Sequence, residues 1–118
     1  MAYDEELADR IRLHIKPGPE LSERKMFGGL AFLIGGNMAV AASRQGGLLV
    51  RVDPQDADEL LELDFVESMV MGGRDVTGWL RVTPDAADDD AVLREWVDRG
   101  VGYARSLPPK KLSPRKQK

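Results

Sequence analysis

The chain of 118 residues contains no cysteine and a single histidine, His14. Without cysteine there are no disulfides, no thiolate metal sites and no cysteine nucleophile. One histidine excludes a multi-histidine metal centre and makes any Ser-His-Asp triad depend on that one ring. No apolar run reaches the roughly 18–20 residues that a membrane span needs. The opening segment Met1-Ala2-Tyr3-Asp4-Glu5-Glu6 is acidic, the opposite of a secretion signal, so the expectation is a cytoplasmic protein without a membrane association. What remains is a length that suits one domain, able to bury roughly two-thirds of its unfolded surface without staples.

Charge is unevenly spread. Lys and Arg number 17 against 20 Asp and Glu, a net of −3. Five of the cations, Lys110, Lys111, Arg115, Lys116 and Lys118, fall in the last nine residues, where there is no acid. Without them, residues 1–107 hold 12 basic and 20 acidic residues, a net of −8. A body that acidic repels nucleic acid on average, whereas the tail attracts it. The tail also lacks apolar periodicity, so residues 1–107 read as the folded domain and 108–118 as a disordered basic tail.

Periodicity orders the elements. Leu7, Ala8, Ile11, His14 and Ile15 share one helical face, and Pro17-Gly18-Pro19 ends that helix. Three short apolar runs follow, Met26–Ile34, Met38–Ala42 and Leu48–Val52. They are separated by Gly35-Gly36-Asn37 and Arg44-Gln45-Gly46-Gly47, and they read as an antiparallel meander. Asp53-Pro54 starts a short helix, with a capping carboxylate followed by proline at the first helical position. A second hairpin pairs Phe65–Met71 with Val76–Val82. Asp88-Asp89-Asp90 opens a last helix, on which Leu93, Trp96, Val97, Gly100, Val101 and Ala104 recur at helical spacing until Pro108-Pro109. The order α-β(3)-α-β(2)-α predicts an α+β two-layer domain: a five-stranded antiparallel sheet with helices on one face.

The run Arg24-Lys25-Met26-Phe27-Gly28-Gly29-Leu30-Ala31-Phe32 is followed by Gly36-Asn37-Met38-Ala39, Leu49-Val50-Arg51-Val52-Asp53 and Leu93-Arg94-Glu95-Trp96-Val97. Together these resemble the TfoX/Sxy N-terminal domain family over about residues 3–107. The resemblance implies an α-β(3)-α-β(2)-α fold similar to type III secretion chaperones. It also implies a regulatory rather than enzymatic role, because proteins of this family are named for controlling natural competence and act on transcription with the cyclic-AMP receptor protein. A transcription-related protein partner is the corresponding expectation. The family offers no catalytic residue to carry over.

The chemistry-bearing residues are consistent with that reading. Gly28-Gly29 precedes a strand pattern rather than a helix, which suits a bulge or close packing and not a phosphate cradle. His14 on an apolar helix face suits a structural histidine. Asp85, Asp88, Asp89 and Asp90 suit a helix start better than a calcium loop. Met26, Phe27, Phe32, Met38, Met69 and Met71 suit a core rather than a pocket. Arg51 and Arg81 are the exception. Each sits between apolar residues of a strand, so both are expected to point away from the helices. With Arg24, Lys25 and Arg74 they would form a basic stripe for an anionic ligand, nucleic acid or an acidic partner segment, or else a solvated face paired across strands, for instance Arg81 with Glu67. No catalytic residue, metal or cofactor is expected. Uncovered strands suggest a homodimer. Any nucleic-acid binding is expected to be weak, non-specific and carried by the tail. The leading expectation is a non-enzymatic binding domain; a nucleic-acid accessory protein using the tail and the sheet arginines is the alternative.

Overall fold

The computed structural model describes residues 5–15, 21–26, 29–43, 46–71 and 73–108. Helix α1, Glu5–His14, carries Glu5 and Glu6 in its first turn and Arg12 and His14 in its last, the arrangement that complements the helix dipole. Six strands follow in one antiparallel sheet: β1 Leu21–Met26, β2 Gly29–Ile34, β3 Asn37–Ala42, β4 Leu48–Arg51, β5 Val66–Met71 and β6 Arg74–Val82. Helix α2, Pro54–Leu60, joins β4 to β5. The one-turn helix α3, Pro84–Ala87, and the long helix α4, Asp90–Ser106, end the described chain. In space the strands run β1-β2-β3-β4-β6-β5.

The sheet has six strands where the sequence pattern predicted five. The added strand is β1, which pairs along its whole length with β2, from Leu21 opposite Ile34 to Met26 opposite Gly29. Its sequence Leu-Ser-Glu-Arg-Lys-Met gives no apolar alternation, and among its described side chains Leu21 alone packs against the core. The stretch predicted as one strand from Met26 is therefore split: Gly29 begins β2, and Phe27 and Gly28 lie outside the described residues.

The other sequence signals form as their chemistry dictates. Gly35 and Gly36, at φ 59° and 83°, link β2 to β3 where Ile34 pairs with Asn37. Two left-handed residues make the hairpin turn whose twist matches the strands, which is why glycines stand there. The Asp53 carboxylate accepts from the Gln55 N–H with Pro54 in the first turn of α2. The Asp89 carboxylate accepts from the Ala91 and Val92 N–H groups at the start of α4.

Every buried helical side chain joins the core on one side of the sheet. There Ile11 from α1 and Leu93, Trp96 and Val97 from α4 pack on Phe32, Val40, Val50, Leu80 and Val82. Phe65 meets Trp96 edge to face at 6.2 Å. Helix α4 approaches β3 so closely that a Cβ on Gly100 would stand 2.5 Å from the Ala39 carbonyl oxygen. Ala39 is the additional residue of a bulge, since Phe32 pairs with Val40 but Leu33 with Met38.

Candidate partner-binding sheet face

The side of the sheet away from that core is built by alternation. In β2, β3 and β4 the residues between the core positions are Ala31, Ala41 and Leu49, each paired with the next across the strands. The same lateral row continues outwards, with Arg24 opposite Ala31 at one end, then Arg81 opposite Leu49, and Glu67 opposite Arg81. The row Arg24, Ala31, Ala41, Leu49, Arg81, Glu67 thus crosses all six strands. Arg24 and Arg81 are four strand spacings apart, about 19 Å. Beside the row, Leu33 pairs with Met38 and Arg51 with Trp79.

This face is apolar in the middle. Ala31, Met38, Ala41 and Leu49 form a second buried cluster, 0–7% exposed, with half-buried Leu33, Met69 and Trp79 packed against it. All seven residues belong to strands, and none of the described helices contributes to the cluster. Small alanines make the floor and larger side chains stand around it. Met38 and Met69, expected in a core, both pack in this second cluster, whereas Phe32 lies in the first. Phe27 and the side chains of Met26 and Met71 lie outside the described residues.

The arginines expected to form a stripe are placed unequally. Arg24 is exposed on the edge strand β1. The Arg51 guanidinium lies 5.3 Å from the centre of the Trp79 ring and 5.8 Å from that of Tyr103 on α4, so the cation is held between two aromatic faces. Arg81 donates to the Gly46 carbonyl at 3.3 Å and has Glu67 opposite it. Lys25 lies elsewhere. It follows Arg24 in a strand and pairs with the core residue Leu30, so it lies on the helix side. Arg74 begins β6 opposite Met71, and its side chain lies outside the described ones. Lys110, Lys111, Arg115, Lys116 and Lys118 also lie outside the described residues. Instead of a continuous basic stripe, the face has an apolar centre with Arg24 on one flank and Arg51 and Arg81 on the other.

The titratable groups elsewhere tie α1 to α4 and to β1. Half-buried His14 and Arg10 on α1 both reach Asp90 at the start of α4, at 3.0 and 3.4 Å. The His14 hydrogen bond, then that of Arg10, holds the exposed Asp90 carboxyl below its usual range against the opposing pull of desolvation. Arg12 grips Glu23 of β1 through two hydrogen bonds of 2.8 Å. Those bonds hold the Glu23 carboxyl below its usual range, with burial opposing them. Among the described residues no group of three His, Asp or Glu side chains could hold a metal ion, and none of the described helices is long and apolar enough to cross a membrane.

Strand alternation makes Arg51 and Arg81 of this face legible in the sequence, but not its apolar centre. Ala31, Met38, Ala41 and Leu49 alternate with core residues in runs that are apolar throughout, so periodicity could not divide them between two faces. The available signal was that continuity itself: strands without polar alternation are buried on both sides.

A comparison with family models finds one match, described as the TfoX N-terminal domain, over residues 14–104. No curated protein and no solved structure matches the chain.

Proposed function

Because the chain belongs to the TfoX N-terminal domain family, we propose that it is a non-enzymatic regulatory domain that works by holding a protein partner, of the transcription-related kind the family suggests, on the sheet face away from its helices. The observation that carries this reading is the pattern of that face. Its apolar centre of strand residues is flanked by Arg24 on one side and by Arg51 and Arg81 on the other. Such a surface suits a segment with apolar side chains at its middle and carboxylates about 19 Å apart. The cations contribute orientation and encounter rate, and the part-exposed Leu33, Met69 and Trp79 contribute contact area. The Arg51 guanidinium is already engaged by Trp79 and by Tyr103 of α4, so Arg24 and Arg81 are the cations on which the reading is tested.

The test is retention of proteins from a lysate of the source cell on the immobilised full chain, compared with Arg24→Glu combined with Arg81→Glu. Circular dichroism first establishes that the variant is folded. The reading requires a transcription-related protein that the natural chain retains and the variant loses. Equal retention by both sinks it. Retention that disappears on nuclease treatment transfers the function to nucleic acid, the alternative that the tail cations and sheet arginines support.

A further inference from the structure

The two edges of the sheet differ in a way that points to a second copy of this chain. Edge strands expose a row of backbone donors and acceptors, and proteins normally guard them with charge. Strand β1 is guarded in this way, with Glu23, Arg24 and Lys25 in succession, all exposed. Strand β5, the other terminal strand in the order, has one charge, Glu67, among Val66, Ser68, Met69, Val70 and Met71. The large apolar side chains most exposed among the described residues are Leu13 at 83%, Val70 at 59% and Leu63 at 40%. Two of these three belong to β5 or to the turn that leads into it.

We propose that the protein forms a twofold homodimer by antiparallel pairing of β5 with β5 of a second copy, joining two six-stranded sheets into one. The strand's own pattern is self-complementary. An axis midway between Val66 and Val70 sets Val66 opposite the partner's Val70 and Glu67 opposite the partner's Met69. Val66 and Val70 are four residues apart in β5 and so share a face by strand alternation, although the ladder to β6 shifts register between Ser68 and Val70, where the extra residues lie on β6. An axis at Glu67 would instead put that carboxylate opposite its own image, which is repulsive. Charge therefore excludes that register. Within one chain the turn already uses the Val66 N–H, which donates to the Leu63 carbonyl at 3.1 Å, so the ladder between copies ends there. The pairing leaves the sheet face with Arg24 and Arg51 available, so this inference stands independently of the partner reading above.

Sedimentation equilibrium of the full chain from micromolar to submillimolar concentration tests it, beside Val70→Lys on β5 and Lys25→Ala on β1. The natural chain is expected to show a concentration-dependent dimer. Val70→Lys is expected to raise its dissociation constant about ten-fold or more, because by symmetry the change enters the interface twice. Lys25→Ala is expected to leave the constant unchanged. Monomer mass throughout, or a Val70→Lys dimer as tight as the natural one, overturns the proposal. Hydrogen exchange on the unmodified chain gives a second measurement should the lysine variant not fold. Amides of β5 are expected to gain protection as concentration rises, and protection on β1 or on neither edge refutes the assignment.

Discussion

Two glycines in one helix are expected to respond in opposite directions to the same substitution. Gly100 and Gly102 both lie inside α4, where glycine costs about 1 kcal/mol of helix propensity relative to alanine. Propensity alone predicts that Gly100→Ala and Gly102→Ala each stabilise the protein. Their surroundings differ. A Cβ at Gly102 meets nothing within 4 Å, so the propensity gain survives and Gly102→Ala is expected to add roughly 0.5–1 kcal/mol. A Cβ at Gly100 would lie 2.5 Å from the Ala39 carbonyl oxygen and 2.8 Å from Val40 Cγ1. Val40 can adjust its rotamer, but Ala39 is backbone at a bulge in an inner strand, so relief requires α4 to move off the sheet. Overpacking of that kind costs about 1–3 kcal/mol, and against backbone it falls in the upper part of that range, so it outweighs the propensity gain and leaves Gly100→Ala less stable by up to roughly 2 kcal/mol. Urea unfolding of the two variants beside the natural chain reads both signs, with an unchanged slope confirming that stability alone has moved. Stabilisation by both substitutions would refute the close seating of α4 on β3.

Trp96→Ala is expected to cost about 3–5 kcal/mol in the same assay, since the ring is 1% exposed and packs against Phe65; a loss below about 1 kcal/mol would place it at the surface. Acid should weaken the protein through Glu23. Its folded carboxyl titrates below the ordinary value of 4.5, so its contribution is complete above that pH and disappears as pH falls through the lower folded value. Glu23→Gln should therefore flatten the loss of stability below pH 4.5, and an unchanged acid limb in the melting profile would discount the Arg12–Glu23 pair. Nucleic-acid binding should follow the tail. Five tail cations allow a slope of log affinity against log salt no steeper than about −4.5 on duplex DNA, without sequence discrimination. Deleting residues 110–118 should abolish binding in a low-salt anisotropy titration, while Arg51→Ala with Arg81→Ala leaves it nearly intact; the reverse result would make the sheet face a nucleic-acid site.

The parts of this protein that are legible in its sequence are those decided within one turn of chain. Asp53-Pro54 and Asp89 announce helix starts because a capping carboxylate acts on N–H groups two or three residues away. Gly35-Gly36 announces a hairpin because the turn itself demands left-handed residues. The face of α4 is legible because 3.6-residue periodicity puts Leu93, Trp96, Val97, Gly100, Val101 and Ala104 together whatever they meet. Strand β1 escaped for the complementary reason. Ser22 to Lys25 carry no local preference for a strand, and only β2 alongside gives them one.

The candidate site was half legible by the same logic. Alternation placed Arg51 and Arg81 opposite the core residues Val50, Leu80 and Val82, which needs only the period of a strand. Three relations could not be read in this way. Lys25 follows Arg24, and once both belong to a strand they must part to opposite faces, so the stripe lost a member as soon as β1 existed. Tyr103 meets Arg51 across 52 positions of chain, a contact made by the docking of α4 and by nothing in either segment. The row from Arg24 to Glu67 depends on five separate strand registers, and a slip of one residue in any of them would move its members to the other face. The core on the far side guards against such slips, since each would turn Phe32, Val40, Val50 or Leu80 away from the helices. The arrangement of cations and apolar side chains on the face away from the helices is therefore set by the packing of Trp96 and its neighbours on the other side of the sheet. Substitutions that loosen that packing, Trp96→Ala among them, should therefore disturb the proposed partner retention without touching a single residue of that face.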